Sequence, residues 1–314
     1  MNILVYLAVI LKNSIYGASV FFTGNLSNSM DEFDILALRF LMSFVVLWIL
    51  KTLKIIKISV ELKELIGFSN RKKHIKNLML TALFEPILYM VFETVGITHS
   101  TNVTTGVILS LSPIMTCILQ ELILKEKTTL LKKVFIAIGI IGVAYIAVNT
   151  DTNNGQDSII GIVFLLLAIT AGPLYCIYSR KSSVEFNAME VTYICIFFGM
   201  VAFNAVNIVK HIIAGDILSY FTPYFNAENM VGFIYLAVIS AICGSSLGNF
   251  ALGKVPPATL TAFSGLSSMI TVILGVVLND EALYIYHIIG FSLIMIRMIG
   301  ITYIDCKKEK IKGE

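Results

Sequence analysis

Glu85, Tyr89 and Glu93 stand at i, i+4 and i+8 in the run LFEPILYMVFETVGIT, which is otherwise largely apolar. On a helix that spacing places all three on one face. A second apolar run, ILVYLAVILKNSIYGASVFF, holds Lys12 and Tyr16 on one face, with Asn13 beside them. A charged side chain at the centre of a bilayer costs on the order of 2.5–3.5 kcal/mol on insertion scales, so each of these charges needs a reason. Counted from the same side of a membrane, Lys12 and Glu85 lie at similar depth. The expectation is that they meet across a polar central cavity, with Glu93 guarding its outer mouth. An unevenly solvated Lys–Glu pair can act in proton coupling, because deprotonation changes which partner a substrate replaces. The same pair also fits a static bridge that fixes helix packing.

The elements that would position these groups are membrane spans. Of the 314 residues, 57% are hydrophobic and only 14% charged, against about 25% charged in ordinary soluble domains. The mean hydropathy is +0.86. Apolar runs long enough for a hydrocarbon core of about 30 Å recur at 3–24, 35–53, 77–96, 102–124, 130–149, 158–179, 188–210, 230–252, 257–279 and 284–304. The first run has no basic segment before it and holds Lys12 at its middle, so it reads as a retained span, not a cleaved leader. Lys and Arg gather in alternate loops (Lys51 to Lys76, Lys125 to Lys133, Arg180 and Lys181, Lys254) and in the tail from Lys307 to Lys312. The other loops hold Lys210 and mostly acids, among them Asp31, Asp151, Asp216 and Glu281. The positive-inside rule then puts both termini in the cytoplasm.

The halves repeat. Residues 103–126, VTTGVILSLSPIMTCILQELILKE, align with 258–281, ATLTAFSGLSSMITVILGVVLNDE, at a shift of 155. Ser112, Thr116 and Glu126 fall on Ser267, Thr271 and Glu281. Five spans is an odd number, so the second copy must be inverted relative to the first. Such repeats are a recurring design of secondary transporters, since inversely placed halves can form similar inward-open and outward-open states. The expected fold is therefore an all-α membrane protein of ten transmembrane helices in two inverted five-helix repeats. Residues 1–150 would form the first, 151–306 the second, and 307–314 a basic cytoplasmic tail.

IYGASVFF in span 1, LALRF entering span 2, and LFEPILYMVFETVGITHSTNVTTGVILSLSPIMTCILQELILKEK carry a resemblance, as do SAICGSSLGNFALGKVPPATLTAFSGLSSM and NDEALYIYHIIG. In their order and spacing the chain resembles the EamA family of the drug/metabolite transporter superfamily over nearly its whole length. The resemblance implies export of metabolites through a cavity between the halves, to which spans 1, 3, 6, 8 and 9 would contribute, and a peripheral last span suited to a homodimer contact. Three positions depart from the family pattern: Tyr16 for a common Trp, Ser268 for a proline, and Arg297 for a glycine. Substrate specificity does not carry over through them.

Further candidates for cavity lining are Tyr175, Tyr178, Asn249, Ser264 and Ser267; small hydroxyl residues serve equally in close helix approach. Pro86, Pro113 and Pro173 are expected to kink their spans. Arg39 and Arg297 read as side chains near span ends, Arg297 snorkelling to headgroups. The five cysteines lack metal-ligand spacing. The chain has no P-loop and no HExxH or GxSG-like signature, so no cofactor and no enzymatic activity are expected. The small net charge of +3 points to no nucleic-acid partner. A small solute and the lipid bilayer are the expected partners, at a bacterial plasma membrane. An amino acid or other zwitterion fits Lys12 and Glu85, whereas an amphipathic cation fits the acids alone. A receptor or an intramembrane enzyme is the alternative outside transport.

Overall fold

The computed structural model describes residues 3–27, 29–59, 72–99, 108–109, 111–150, 158–278 and 284–313. Among them the regular structure is all helical, with no strand. The α-helices are α1 (Ile3–Ser27), α2 (Glu32–Thr52), α3 (Lys72–Ala82), α4 (Tyr89–Thr98), α5 (Ser112–Ile123), α6 (Leu130–Thr150), α7 (Ile159–Ser182), α8 (Ala188–Ala214), α9 (Ala227–Ile234), α10 (Ser245–Leu252), α11 (Pro257–Ala262), α12 (Gly265–Leu278) and α13 (Ile285–Gly313). Two π-helical segments, π1 (Leu83–Leu88) and π2 (Tyr235–Gly244), join α3 to α4 and α9 to α10.

Local chemistry sets several boundaries. Asp31 caps α2 by accepting from the Phe33 amide at 2.8 Å, and Ser158 caps α7 from the Gly161 amide at 3.0 Å. Asn187 and Glu190 form a reciprocal capping box at the start of α8. That helix ends at Gly215, whose φ of 75° is open to glycine without a Cβ penalty.

Seven helical stretches are long and apolar enough to cross a membrane: Ile3–Thr23, Glu32–Thr52, Ile75–Gly96, Ile159–Ser182, Ala188–Ala214, Asn229–Leu252 and Ile285–Ile304. Ser112–Ile123 is a shorter apolar helix. The described residues thus carry seven candidate spans where ten are expected. The expected fourth span is described only in part, and the expected ninth is divided between α11 and α12. Large apolar side chains such as Ile141, Leu166, Val206 and Ile299 are exposed, as lipid contact requires.

The prolines act differently from one another. Pro86 lacks an amide hydrogen and disfavours helical geometry at the residue before it. Accordingly Glu85 is extended (φ −144°, ψ 127°) inside π1, and the Glu85–Pro86 peptide is cis. The uninterrupted α-helical face expected through Glu85 is therefore broken at its first member. Pro113 sits in the first turn of α5, where it starts the helix and does not kink it. α7 runs on through Pro173.

Helix α2 packs on α8, and α6 on α13. α1 lies against π2, α10 and α12, while α7 lies against α3, π1, α4 and α5. α5 also meets α11. Exchanging the two expected five-span halves, span for span, maps these pairings onto one another. The 155-residue shift also places π1 within π2.

Arg297 corrects an expectation. It is 1% exposed and does not snorkel. Its side chain fills space left by Gly139 on α6 and Gly265 on α12, where an added methyl would overlap it. Its Nε and one terminal nitrogen are buried without a hydrogen-bond partner.

Candidate functional site

The break at Glu85 packs against α7 and α8. Glu85 is within electrostatic reach of Lys12, Glu93 and Arg39. Lys12 has Glu85 and Cys176 as charged or polarisable neighbours, and Tyr175 is near Glu85 and Tyr16. Five helical elements thus bring Lys12, Tyr16, Arg39, Glu85, Glu93 and Tyr175 to one interior region. Of these, Lys12, Tyr16, Arg39, Glu85 and Glu93 are half-buried and not sealed.

Within this region the charges are not simply paired. Lys12 Nζ sits over the Tyr16 ring, 4.2 Å from its centroid, a cation–π arrangement. No ion pair between Lys12 and Glu85 occurs among the described residues, so the direct bridge weighed from the sequence is replaced by electrostatic proximity. The Tyr89 hydroxyl donates to Glu93 at 2.7 Å, which realises the i, i+4 relation of those two residues. The Tyr16 hydroxyl is 3.0 Å from Ser245 Oγ on α10, so α1 and α10 are joined beside Lys12.

The remaining candidates divide. Tyr175 donates to Asn249 Oδ1 at 2.9 Å, and Ser179 donates to the same oxygen at 2.6 Å. Asn249 Nδ2 in turn donates to Thr192 Oγ1 at 3.0 Å. This buried network ties α7, α8 and α10 together with every amide bond directed at protein. Ser267 donates to the Asn13 carbonyl at 2.9 Å, and Asn13 Nδ2 donates to the Val9 carbonyl at 2.7 Å. Beside them Gly17 packs against the Ser267 carbonyl and Ile270, so this pair sits in the α1–α12 contact. Tyr178 stacks on Phe84 with centroids 5.6 Å apart, next to the break. Ser264 is exposed at the turn between α11 and α12 and is not gathered with the others. The side chains of Ser268 and Thr271 lie outside those described.

Arg39 is the residue that sequence reasoning passed over. It lies on α2, near Tyr16, Glu85 and Glu93. Its Nε is buried without a partner, and its guanidinium carbon stands 5.4 Å from the Phe40 ring centroid. Its carbonyl accepts from Ser43 at 2.6 Å, but no hydrogen bond or ion pair engages the guanidinium among the described residues. Its place early in span 2 suggested a headgroup contact; the available signal was that LALRF is apolar on both sides of the charge.

Two polar clusters flank this region. At the lysine-rich end Arg180 meets Glu126 at 3.0 Å, and buried Lys132 donates to Thr259 at 2.6 Å. At the other end Asp34 on α2 holds both Lys210 at 3.2 Å and His211 at 3.0 Å on α8. No group of three or more His, Cys, Asp and Glu suited to a metal occurs among the described residues.

Comparison with known proteins places the geometry in a family context. Residues 3–148 and 159–303 each match the model of a family described as the EamA-like transporter family. An uncharacterized transporter of Bacillus subtilis, YcxC, is 30% identical over 308 residues, covering 98% of this chain and 96% of its own. An uncharacterized transporter of Clostridium kluyveri is 23% identical, covering 89% and 86% respectively. A protein crystal structure superposes with a TM-score of 0.70 at 16% identity, over 98% of each chain, which is a likeness of fold.

Proposed function

The chain belongs to the EamA-like transporter family, and from that premise we propose that it is a secondary-active carrier that exports small metabolites such as amino acids. A transporter of this family with seven apolar helices is a multi-pass membrane protein, at the cell membrane in bacteria. The proposed architecture is ten spans in two inverted repeats with both termini cytoplasmic. The packing pattern that survives exchange of the halves supports it, as do the matching π1 and π2 segments. Alternating access then follows from two half-structures that swap partners about a shared interior region.

The observation that carries the reading is the gathering of Lys12, Glu85 and Glu93 around a helix break inside the bundle, with Lys12 and Glu85 unpaired to each other. Static packing charges gain most by direct pairing, since an unpaired charge away from water is expensive. Charges held near one another but apart leave Glu85, which no neighbour bonds among the described residues, free to meet a solute. Glu85, at the break, is the proposed proton-coupling group, and Tyr16, Tyr89, Tyr175 and Tyr178 supply polar edges and apolar faces around it. Asn13, Asn249 and Ser267 remain in the proposal as supporting positions, with Asn249 and Ser267 acting through the helix contacts they make, whereas Ser264 lies apart from the gathered residues.

The test is uptake of a radiolabelled amino-acid panel into liposomes containing the purified protein, with and without a pH gradient. Gradient-stimulated uptake that is lost in Glu85→Gln is the expected result. Uptake that is indifferent to the gradient and normal in Glu85→Gln would remove the coupling role. Transport of lipophilic cations in place of amino acids would reassign the substrate class.

A further inference from the structure

We infer that Arg39 receives the carboxylate of a zwitterionic substrate, while Glu85 receives its ammonium. This rests on the transport reading above and assigns the two ends of the substrate within it.

The guanidinium of Arg39 is an unusual object for the interior of a membrane protein. Its Nε is buried with no acceptor, and no ion pair engages its terminal nitrogens among the described residues. A guanidinium nitrogen buried without an acceptor is costly, and arginine cannot shed its charge to relieve that cost. Two carboxylates lie within electrostatic reach, Glu85 and Glu93, yet neither bonds to it. Glu93 instead accepts from Tyr89 at 2.7 Å. The planar fork is thus held near negative charge with its bonding positions open, the geometry that a carboxylate fills with two parallel hydrogen bonds.

Lys12 is the other cation of the region and the weaker receptor. Its ammonium is already covered by the Tyr16 ring at 4.2 Å, and it offers a point charge where arginine offers a fork. With all four groups ionised, Lys12 and Arg39 balance Glu85 and Glu93. A zwitterion enters such a region without leaving net charge behind. An amine or a simple carboxylic acid does not. The placement of Arg39 on α2 and Glu85 on π1 lets the substrate link two elements that do not bond to each other directly.

The experiment compares L-leucine and L-phenylalanine with their decarboxylated amines, isoamylamine and phenethylamine, in liposomes containing the wild-type protein, Arg39→Gln or Arg39→Lys. The expected result is a KM for a transported amino acid raised by about tenfold or more in Arg39→Gln, the loss of a charge-assisted hydrogen-bond pair. Arg39→Lys recovers part of the affinity, and any amine uptake is unchanged. An independent readout uses the unmutated protein: the amino acid, but not its amine, should protect Arg39 from phenylglyoxal, as read by peptide mass spectrometry. Wild-type KM in Arg39→Gln, or labelling of Arg39 that ignores the amino acid, overturns the assignment. So does a loss of kcat alone, shared equally by amino acid and amine. A wild-type protein that moves amines only, or none of the four probes, removes the amino-acid reading on which the assignment stands.

Discussion

Arg180 binds Glu126 through one terminal nitrogen at 3.0 Å and the carbonyls of Leu252 and Val255 through the other, at 3.1 and 2.6 Å. One side chain thereby fastens α7 to the segment after α5 and to the turn after α10. These carbonyls close the end of a helix, where acceptors lack intrahelical donors, so the guanidinium caps the helix and bridges the halves at once.

If this contact holds the lysine-rich end closed, Arg180→Gln should loosen it. Both partners are partly exposed, so the ion pair itself is worth about 1 kcal/mol or less. The expected effect is a rise of about three- to tenfold in N-ethylmaleimide labelling of Cys176, which is buried in the folded chain. Peptide mass spectrometry separates Cys176 from exposed Cys243. An unchanged rate would mean that other contacts keep this end shut.

Gly199 on α8 lies against the helix break. A methyl added there would come within 2.6 Å of Pro86 Cγ and 2.8 Å of the Phe40 ring. Gly199→Ala should push on π1 from one side and on the neighbour of Arg39 from the other. Overpacking of this kind costs about 1–3 kcal/mol. Transport should fall further than thermal stability in detergent, because the displaced segment carries Glu85. Equal losses would make Gly199 a packing position only.

Arg297→Met should stabilise the protein. The wild-type side chain buries two guanidinium nitrogens with no acceptor, and a buried unsatisfied donor costs about 1–3 kcal/mol. Methionine fills the slot between Gly139 and Gly265 without that penalty. A higher melting temperature of the purified protein is expected. A lower one would mean that the packing of the arginine side chain against Gly139 and Gly265 outweighs that penalty.

Asn249→Ala should destabilise by about 2–4 kcal/mol, since it strands the hydroxyls of Tyr175 and Ser179 and leaves Thr192 without its amide donor. Asn249→Asp keeps the acceptor but not the donor, and should fall between the two. Wild-type stability in the alanine variant would point to water filling the gap.

Composition and hydropathy were sufficient for the membrane character, because lipid-facing surface is a property of the whole sequence. Long helices such as α2 and α7 were legible from their apolar runs, whereas their caps at Asp31 and Ser158 emerge only from the structure. The shared face of Tyr89 and Glu93 followed from helical periodicity, and their hydrogen bond was added by the structure. Glu85 did not fit that periodicity: a proline at the next position changes the backbone, and spacing rules assume an unbroken helix. Arg39 and Arg297 were misread for a related reason. Depth along a span is readable from the sequence, but whether a side chain turns to lipid or to the interior depends on neighbours contributed by other helices. Gly139 and Gly265 make room for Arg297 from positions far away in the chain, and no local pattern announces that.

The correspondence between π1 and π2 has a consequence for the resting state. Under the inverted-repeat reading, two halves of identical sequence would be equally content facing either side of the membrane. Any preference must then arise where the copies disagree. The 155-residue shift sets Glu85 at the break in π1 against Ser240 in π2. The π1 position carries a carboxylate, and the matching π2 position carries a buried hydroxyl. Under that reading the charge state of Glu85 acts on one half alone, so a change in it shifts the balance between the two facings.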